Sequence, residues 1–487
     1  MSQQVHARLL VTVWLGQLVS LVGSSLTGFV LGVWVYQQTG SVAQFSLIFL
    51  ANTLPAVLLA PVAGVLADRW DRRWLMLASD TGAALGTALL AVLVATDSLA
   101  VWHIWLVTAV GAGCSTVHQI SYQSMTPALV GTRHLARFNA LTQVSRATQI
   151  AAPLLAGTLV VTIGVGGVLL VDLGTFTVAA LTLLLVRLPA EATRPAPGRV
   201  REPLRREAAA GWRYLRGRPG LFDLMVLFGA YNFLFGIAGV LVQPLILSFA
   251  SAETLGVLMF AGGAGLFVGS LVMGAWGGPS RRITGVFLGL TLGGVALVGH
   301  SLAPSPWLIA VVAPLFLFTL PIVNTSAITL IQTKTEPAVL GRVLAVARVG
   351  GDVSLLVAYL LAGPLADGVF EPLMRPDGRL ADSVGALIGT GEGRGTALIF
   401  AVAGVLMVLL VGLGWARRPL REVDALADAL PAPDGKPPAG PEQPADAAAT
   451  DPPAGPAAGD PVATDPTAAG PADPATEPDT PPVVRST

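Results

Sequence analysis

Gly64-Val65-Leu66-Ala67-Asp68-Arg69-Trp70-Asp71-Arg72-Arg73 joins two long apolar runs, 43–66 and 74–95. As helices, runs of that length each span a hydrocarbon core of roughly 30 Å. The join is therefore a loop of a few residues at a membrane surface. In so short a loop a glycine lets two helices approach closely, while aspartate and arginine can pair with each other and with helix ends. Arg69, Arg72 and Arg73 also assign the side, because Lys and Arg accumulate in short cytoplasmic loops.

The same pattern repeats in both directions. Apolar runs at 9–36, 43–66, 74–95, 102–125, 138–162, 165–187, 221–249, 253–277, 283–301, 306–331, 343–367 and 395–417 give twelve expected spans. With 53% hydrophobic residues, 12% charged residues and a mean hydropathy of +0.69, the chain is too apolar for an ordinary soluble enzyme. The first run is too long for a signal peptide, and many similar runs follow it. Arg133 and Arg137 follow span four, Arg281 and Arg282 follow span eight, and Lys334 and Arg342 flank the tenth connection. These loops lie on the side of the first, so both termini are expected in the cytoplasm and the chain in a bacterial inner (cell) membrane. Cys114 is the one cysteine, which excludes an intrachain disulfide or a CxxC site.

Arginines concentrate between Arg187 and Arg218, marking a basic connection between two six-span halves. Within it, Arg205 to Leu215 can form an amphipathic helix on the membrane surface. Leu154-Leu155-Ala156-Gly157 in the fifth span recurs as Leu360-Leu361-Ala362-Gly363 in the eleventh, the fifth of its half, as a six-plus-six duplication requires. The expected organisation is an N-terminal six-helix bundle over 1–187, a basic linker over 188–220, a second bundle over 221–417, and a disordered Pro/Ala/Asp-rich cytoplasmic tail over 418–487. The long connection from Phe370 to Arg394 has apolar patches and is expected to pack on the outer surface.

The loop of Gly64, Asp68, Arg69, Arg72 and Arg73 resembles the G-x-x-x-D-R-x-x-R-R/K signature of the major facilitator superfamily. Further segments are similar to the branch of that family containing macrolide-efflux and enterobactin-type siderophore exporters. They are Gly16-Gln17-Leu18-Val19-Ser20, Pro127-Ala128-Leu129-Val130, Asn139-Ala140-Leu141, Gly211-Trp212-Arg213-Tyr214-Leu215 and Gly341-Arg342-Val343. The resemblance implies an all-α membrane protein with twelve transmembrane helices in two pseudo-symmetric six-helix bundles around a central cavity. It also implies that the loop cluster latches the two halves in an outward-facing state. The sequence departs from the family pattern in three places, one being span five, where Ala152-Pro153 with Ala156-Gly157 only partly matches the Gly-Pro exporter pattern. The second-half copy of the loop, Gly274 to Arg282, has Gly278 where the aspartate belongs, so gating is expected to be asymmetric. Gly111 stands about where many drug/proton antiporters of the family carry an arginine inside the membrane.

An ionisable side chain at mid-membrane costs about 2.5–3.5 kcal/mol on insertion scales, so each must face a partner or a wet cavity. Arg146 lies about two turns into span five, and aligning the two Leu-Leu-Ala-Gly copies puts Asp352 at the equivalent position of span eleven. In the resembled family the fifth span of each half lines the cavity, which makes Asp352 a candidate proton carrier and Arg146 its counter-charge or a contact for an anionic substrate. The bland alternative is that Arg348, four residues before Asp352, simply neutralises it. Asp172, in the outer half of span six, is a further coupling candidate, whereas Asp80 reads as a structural pair for a loop arginine. Gln17, Asn232, Gln243 and Asn324 are candidate substrate contacts, although interhelical hydrogen bonding accounts for most such residues. His118 reads as a packed neutral histidine and Gly265-x-x-x-Gly269 as a helix-packing face.

No Walker loop, zinc-ligand pair or hydrolytic motif occurs, so no enzyme activity, cofactor or metal is expected and transport must draw on an ion gradient. The expected function is proton-driven export of a drug-like or secondary-metabolite compound by alternating access, with siderophore export as the alternative. From another class, a membrane-embedded sensor or scaffold without transport is the rival. The expected partners are a small-molecule substrate, protons and the lipid bilayer, with no nucleic acid, and the chain is expected to act as a monomer.

Overall fold

The computed structural model describes the backbone over residues 3–130, 135–186 and 204–428, and side chains over 12–125, 151–186 and 209–428. Four helices open the chain: α1 (Gln3–Thr39), α2 (Val42–Arg69), α3 (Arg72–Ala95) and α4 (Val101–Val130). The helical run Leu135–Leu185 is broken at Gly164, whose φ of 69° and ψ of 179° no helix accommodates. Glycine adopts that backbone without a Cβ penalty. The break turns one run into two antiparallel limbs, α5 (135–163) and α6 (165–185).

A short amphipathic helix, α7 (Leu204–Arg216), leads into the second half, which contains α8 (Pro219–Leu247), α9 (Ala252–Trp276), α10 (Arg282–Ser301), α11 (Pro306–Lys334) and α12 (Pro337–Leu365). After a π turn at Ala366–Phe370 come α13 (Glu371–Met374), α14 (Gly385–Ile388) and α15 (Arg394–Ala416), and α16 (Arg418–Arg421) closes the described chain. Among the described residues ten segments are long and apolar enough to cross a membrane by length and composition. One of these, Ala151–Leu185, runs through the Gly164 break and so covers parts of two helices. α4, with Thr116, His118, Gln119 and Gln123 on it, is too polar to be counted by hydropathy, and with it the bundle has the twelve spans read from the sequence.

The internal duplication is visible in what packs on what. α2 packs on α4, and α9 packs on α11; α3 packs on α4, and α10 on α11; α1 packs on the α5–α6 run, and α8 on α12. These are the same pairings made twice, once in α1–α6 and once in α8–α12 with α15. The Gly265-x-x-x-Gly269 face works as read. A Cβ on either glycine would collide with the backbone of α11, at Pro314 and Phe318 respectively.

The halves meet mainly through α5 on α9 and α2 on α12. Both crossings use the repeated Leu-Leu-Ala-Gly segment. A Cβ on Gly157 would lie 2.8 Å from the Ala252 carbonyl oxygen, and one on Gly256 would lie 2.5 Å from that of Pro153. In the other copy, a Cβ on Gly363 would run into Ala43. Ala156 and Ala362, which precede the two repeat glycines, are fully buried. The two repeats thus supply equivalent close-approach glycines, one to each crossing.

Both crossings lie toward the end of the bundle that bears Ser41, Gly164 and the Phe370–Arg394 connection, here called the far end. The other, basic end bears the Gly64–Arg73 loop and α7. The long far-end connection is packed as expected, with Met374 and Ile388 buried against Leu398 of α15. One boundary is corrected. Residues 418–428, assigned from sequence to a disordered tail, fold back onto the second bundle with Leu420 and Val423 buried; residues 429–487 lie outside the described residues.

Gly256→Leu should force α5 and α9 apart. Overpacking of a close-packed contact costs about 1–3 kcal/mol, so the purified protein in detergent should unfold at a lower temperature. An unchanged midpoint would mean that the crossing is looser than described.

Candidate functional site

A cavity of about 300 Å³ sits between the halves, walled by α1, α2 and α4, by Pro153 of α5, and by Gln243 and Met259 from α8 and α9. Phe29, Phe45, Phe49, Ile48 and Met259 give it an apolar and aromatic surface, while Ser25, Asn52, Thr108 and Gln243 supply neutral polar groups. Gln243 presents a buried amide oxygen with no hydrogen-bond partner among the described residues. A mostly apolar wall with a few placed polar groups is the usual composition of a small-molecule site. A larger groove of about 490 Å³ between α10, α11 and α15 is lined by aliphatic side chains and glycine, including Val295, Leu302, Val312 and Leu409. It lies away from the junction of the halves and suits a lipid chain better than a transported solute.

Of the substrate contacts expected from sequence, Gln243 lines this cavity. Asn232 lies against α12 beside Gly351 and donates to the Phe228 carbonyl at 2.7 Å. Gln17 and Asn324 are not among its lining residues. Asn52 and Thr108, which do line it, were not singled out, because nothing in their local sequence distinguishes them from other polar residues of a span.

Asp352 and Tyr359 are seven residues apart, on one face of α12, and Tyr359 packs on the cavity residue Phe49 with ring centroids 5.6 Å apart. Asp352 therefore stands two turns below the cavity wall, about 10 Å toward the basic end. Its carboxylate lies 3.8 Å from the Arg348 guanidinium, and the two side chains are 34% and 85% exposed. So open a pair contributes little to stability. Arg146 lies on α5, but its side chain is outside the described residues.

Asp172 is in a different setting. Its residue is 1% exposed, enclosed by α1 and α3. Thr27 donates to it at 2.8 Å, and Ser24, Thr175 and Thr87 lie at 3.4, 3.4 and 3.5 Å. Asp80, read as a partner for a loop arginine, instead meets His118 of α4, with Nδ1 2.8 Å from its carboxylate. That corrects the partner expected for Asp80, while His118 is packed between helices and paired with it. Tyr122 stacks one turn further along at a centroid distance of 6.4 Å.

At the basic end the Gly64–Arg73 loop is built from helix-end contacts. Asp71 caps α3, accepting from the amides of Arg73 and Trp74 at 2.9 and 3.4 Å. Arg73 donates to the last carbonyls of α6, Leu183 and Leu184, at 2.9 and 2.8 Å, where a cation complements the helix dipole. Arg72 is buried and donates to the Ala67 carbonyl, while Asp68 and Arg69 are exposed. The second half, with Arg281 where the first has Asp71, takes its capping acid from elsewhere. Asp424, beyond α15, accepts from the Arg282 and Ile283 amides at 3.1 and 3.0 Å and so caps α10 as Asp71 caps α3. Lys334, at the end of α11, ties down the same segment by donating to the carbonyls of Asp424 and Leu426 and pairing with Asp428 at 2.7 Å.

At the far end a third carboxylate joins the halves. Asp367 of the second half accepts from the Ser41 hydroxyl at 2.7 Å and from the Val42 and Ala43 amides at 3.1 and 2.9 Å, the first turn of α2. An acid at a helix N-terminus satisfies otherwise unpaired amides and meets the positive end of the dipole. These bonds tie the two halves together at the far end, beside the Ala43–Gly363 crossing.

The sequence matches the family model described as Major Facilitator Superfamily over residues 13–359. It is 24% identical over 365 residues to macrolide efflux protein A of Streptococcus pyogenes, covering 74% of this chain and 89% of that one. It is 28% identical over 433 residues to the enterobactin exporter EntS of Citrobacter koseri, covering 87% and 95%. The fold is similar to the crystal structure of a bacterial homolog of the human lysosomal transporter Spinster, with a TM-score of 0.60 at 14% identity over 88% of this chain and 97% of that one.

In a Cys114→Ala background, Ser41→Cys with Asp367→Cys should cross-link on mild oxidation, read as a mobility shift that reductant reverses. Failure to cross-link would place the helix ends apart. Asp424→Ala should destabilise the second bundle by about 1 kcal/mol, the usual value of a helix cap, seen as a lower unfolding temperature. Truncation at Pro431 should leave that temperature unchanged.

Proposed function

Since the chain belongs to the major facilitator superfamily, we propose that this transporter exports an amphipathic drug-like or secondary-metabolite compound across the cell membrane, driven by protons moving inward. The observation that carries the reading is the cavity at the junction of the halves. Aromatic and aliphatic walls with a few neutral polar groups suit a compound that is large, mostly apolar and sparsely polar. Kinship to macrolide and enterobactin exporters supports the outward direction.

Orientation follows from charge. Arg69, Arg72, Arg73, Arg281, Arg282, Lys334 and Arg342 belong to the basic end, which makes it cytoplasmic. With the far end latched by Asp367, substrate enters from the cytoplasm or inner leaflet, passes Asp352 and Arg348, and reaches the cavity. Asp352, partly exposed on that route and loosely held by Arg348, can bind either a proton or a cationic substrate, but not both. Such competition is one way to link the two fluxes. Release requires the opposite state, in which the Asp367 latch opens and the Gly64–Arg73 loop, with Asp68 and its arginines, holds the cytoplasmic ends together. Alternating access between two such states around a midplane site is the general scheme for these repeats.

A second reading, siderophore export, is favoured by one feature. The Arg348 guanidinium, 85% exposed on the cytoplasmic approach, would attract an anionic ligand.

Inverted vesicles holding an imposed pH gradient separate these readings when challenged with macrolides, lipophilic cations and catecholate siderophores. Proton-driven export predicts that one class dissipates the gradient and that Asp352→Asn reduces the response at least several-fold. If no class evokes proton movement in the unsubstituted protein, proton coupling fails. If the siderophores alone respond, and Arg348→Ala abolishes it, the second reading replaces the first.

A further inference from the structure

Asp172 takes no part in the cavity wall, yet it is the most enclosed carboxylate described within the spans. We propose that Asp172 is an occluded proton-binding site, reached from the cavity past Ser24, whose protonation moves α1. The proposal rests on the proton-driven reading above and adds where the proton is held.

The argument starts from what surrounds the carboxylate. The groups facing it are hydroxyls: Ser24 and Thr27 from α1, Thr87 from α3, and Thr175 one turn along its own helix. No cationic side chain among the described residues faces it. The nearest acid on α3, Asp80, is two turns from Thr87 and engaged with His118 of α4. Of the four hydroxyls, Thr27 alone is close, at 2.8 Å; the others stand at 3.4–3.5 Å. Thr175 also reaches the Asp172 carbonyl at 2.7 Å, so its single proton is shared between two acceptors. One short and three long neutral hydrogen bonds are poor compensation for a bare anion at this depth.

Neutralisation must come from a cation, and close packing of α1 on α6 favours the smallest one, a proton. A Cβ on Gly23 would lie 2.7 Å from the Asp172 carboxylate and collide with the Thr175 hydroxyl, so α1 and α6 are in contact here. A proton needs no room. It adds to one carboxylate oxygen, forming an O–H bond, and that oxygen becomes a donor. One hydroxyl that had donated then rotates to accept. No other bond is made or broken.

Geometry also supplies the access and the consequence. Ser24 is the exposed member of the four hydroxyls, one turn from Gly28, and Ser25, Gly28 and Gly32 line the cavity. Loss of the proton converts the ties from Thr27 and Ser24 into charge-assisted hydrogen bonds, which are shorter and stronger. Deprotonation therefore draws α1 onto α6 and away from the cavity, and protonation relaxes it. A carboxylate outside the substrate's reach thereby changes the shape of the substrate's wall.

The test needs no identified substrate. The full chain, purified in detergent, is subjected to a pH jump, and infrared difference spectroscopy reads the C=O stretch of protonated carboxyl groups. The expected result is a band that persists in Asp352→Asn, disappears in Asp172→Asn, shifts in Thr27→Val, and exchanges with deuterium more slowly in Ser24→Ala. An unaltered set of bands in Asp172→Asn overturns the proposal. A band abolished by sodium or lithium at constant pH overturns it too, by assigning the site to an alkali ion. Should Asp172→Asn fail to fold, Thr27→Val decides: a shifted band supports the proposal and an unshifted one refutes it. Because this readout is independent of transport, absence of any proton flux in the vesicle assay would defeat the export reading and leave the protonation result standing.

Discussion

Two backbone crossings hold the halves of this protein together, and most of the structure is arranged around them. At Gly157 and Gly256 the main chains of α5 and α9 touch, and at Gly363 the main chain of α12 meets Ala43 of α2. Contacts this close depend on dispersion between backbones rather than on the hydrophobic effect, which gives no advantage to helix association in lipid. Side chains flank them, as where Tyr359 of α12 packs on Phe49 of α2, but the closest contacts are between main chains. A joint of that kind, secured at one end by the Asp367 cap on α2, suits two bodies that rock against each other.

The other carboxylates follow a common rule imposed by the low-dielectric interior, where an unpaired charge is too costly to keep. Asp80 has His118, and Arg394, buried at the start of α15, donates to the Ser301 carbonyl at 2.6 Å. Lys334 spends its three protons on one docked segment. Asp352 escapes the rule by remaining partly exposed, and Asp172 meets it with hydroxyls alone. These two exceptions are the groups to which proton binding is assigned above.

Asymmetry between the halves has a structural counterpart. The first-half loop caps its following helix with its own Asp71, whereas the second half draws Asp424 from beyond its last span. Residues 418–428 are thereby part of the second bundle. A local cap has become a long-range one, which ties the basic-end termini of α10 and α11 to the chain that leaves α15.

The twelve spans can be read from residue order alone, because crossing a hydrocarbon core demands about twenty apolar residues whatever the neighbours are. That order also shows the duplication, through the two Leu-Leu-Ala-Gly copies, and the packing face at Gly265 and Gly269, because small residues at helical spacing leave a local trace. Cavity residue Gln243 was legible as a polar group in an apolar span; Asn52 and Thr108 were not, since polarity alone does not say which way a helix face points. The partners of the buried charges emerge from the packing of the helices. Asp172 meets Ser24, Thr27 and Thr87 across 148, 145 and 85 residues of chain. Asp80 finds His118 on the next helix instead of an arginine in the adjacent loop, and Asp424 finds α10 across 142 residues. Span length is a property of each segment in its solvent, whereas the choice of partner depends on how helices rotate and cross, and no single segment contains that information.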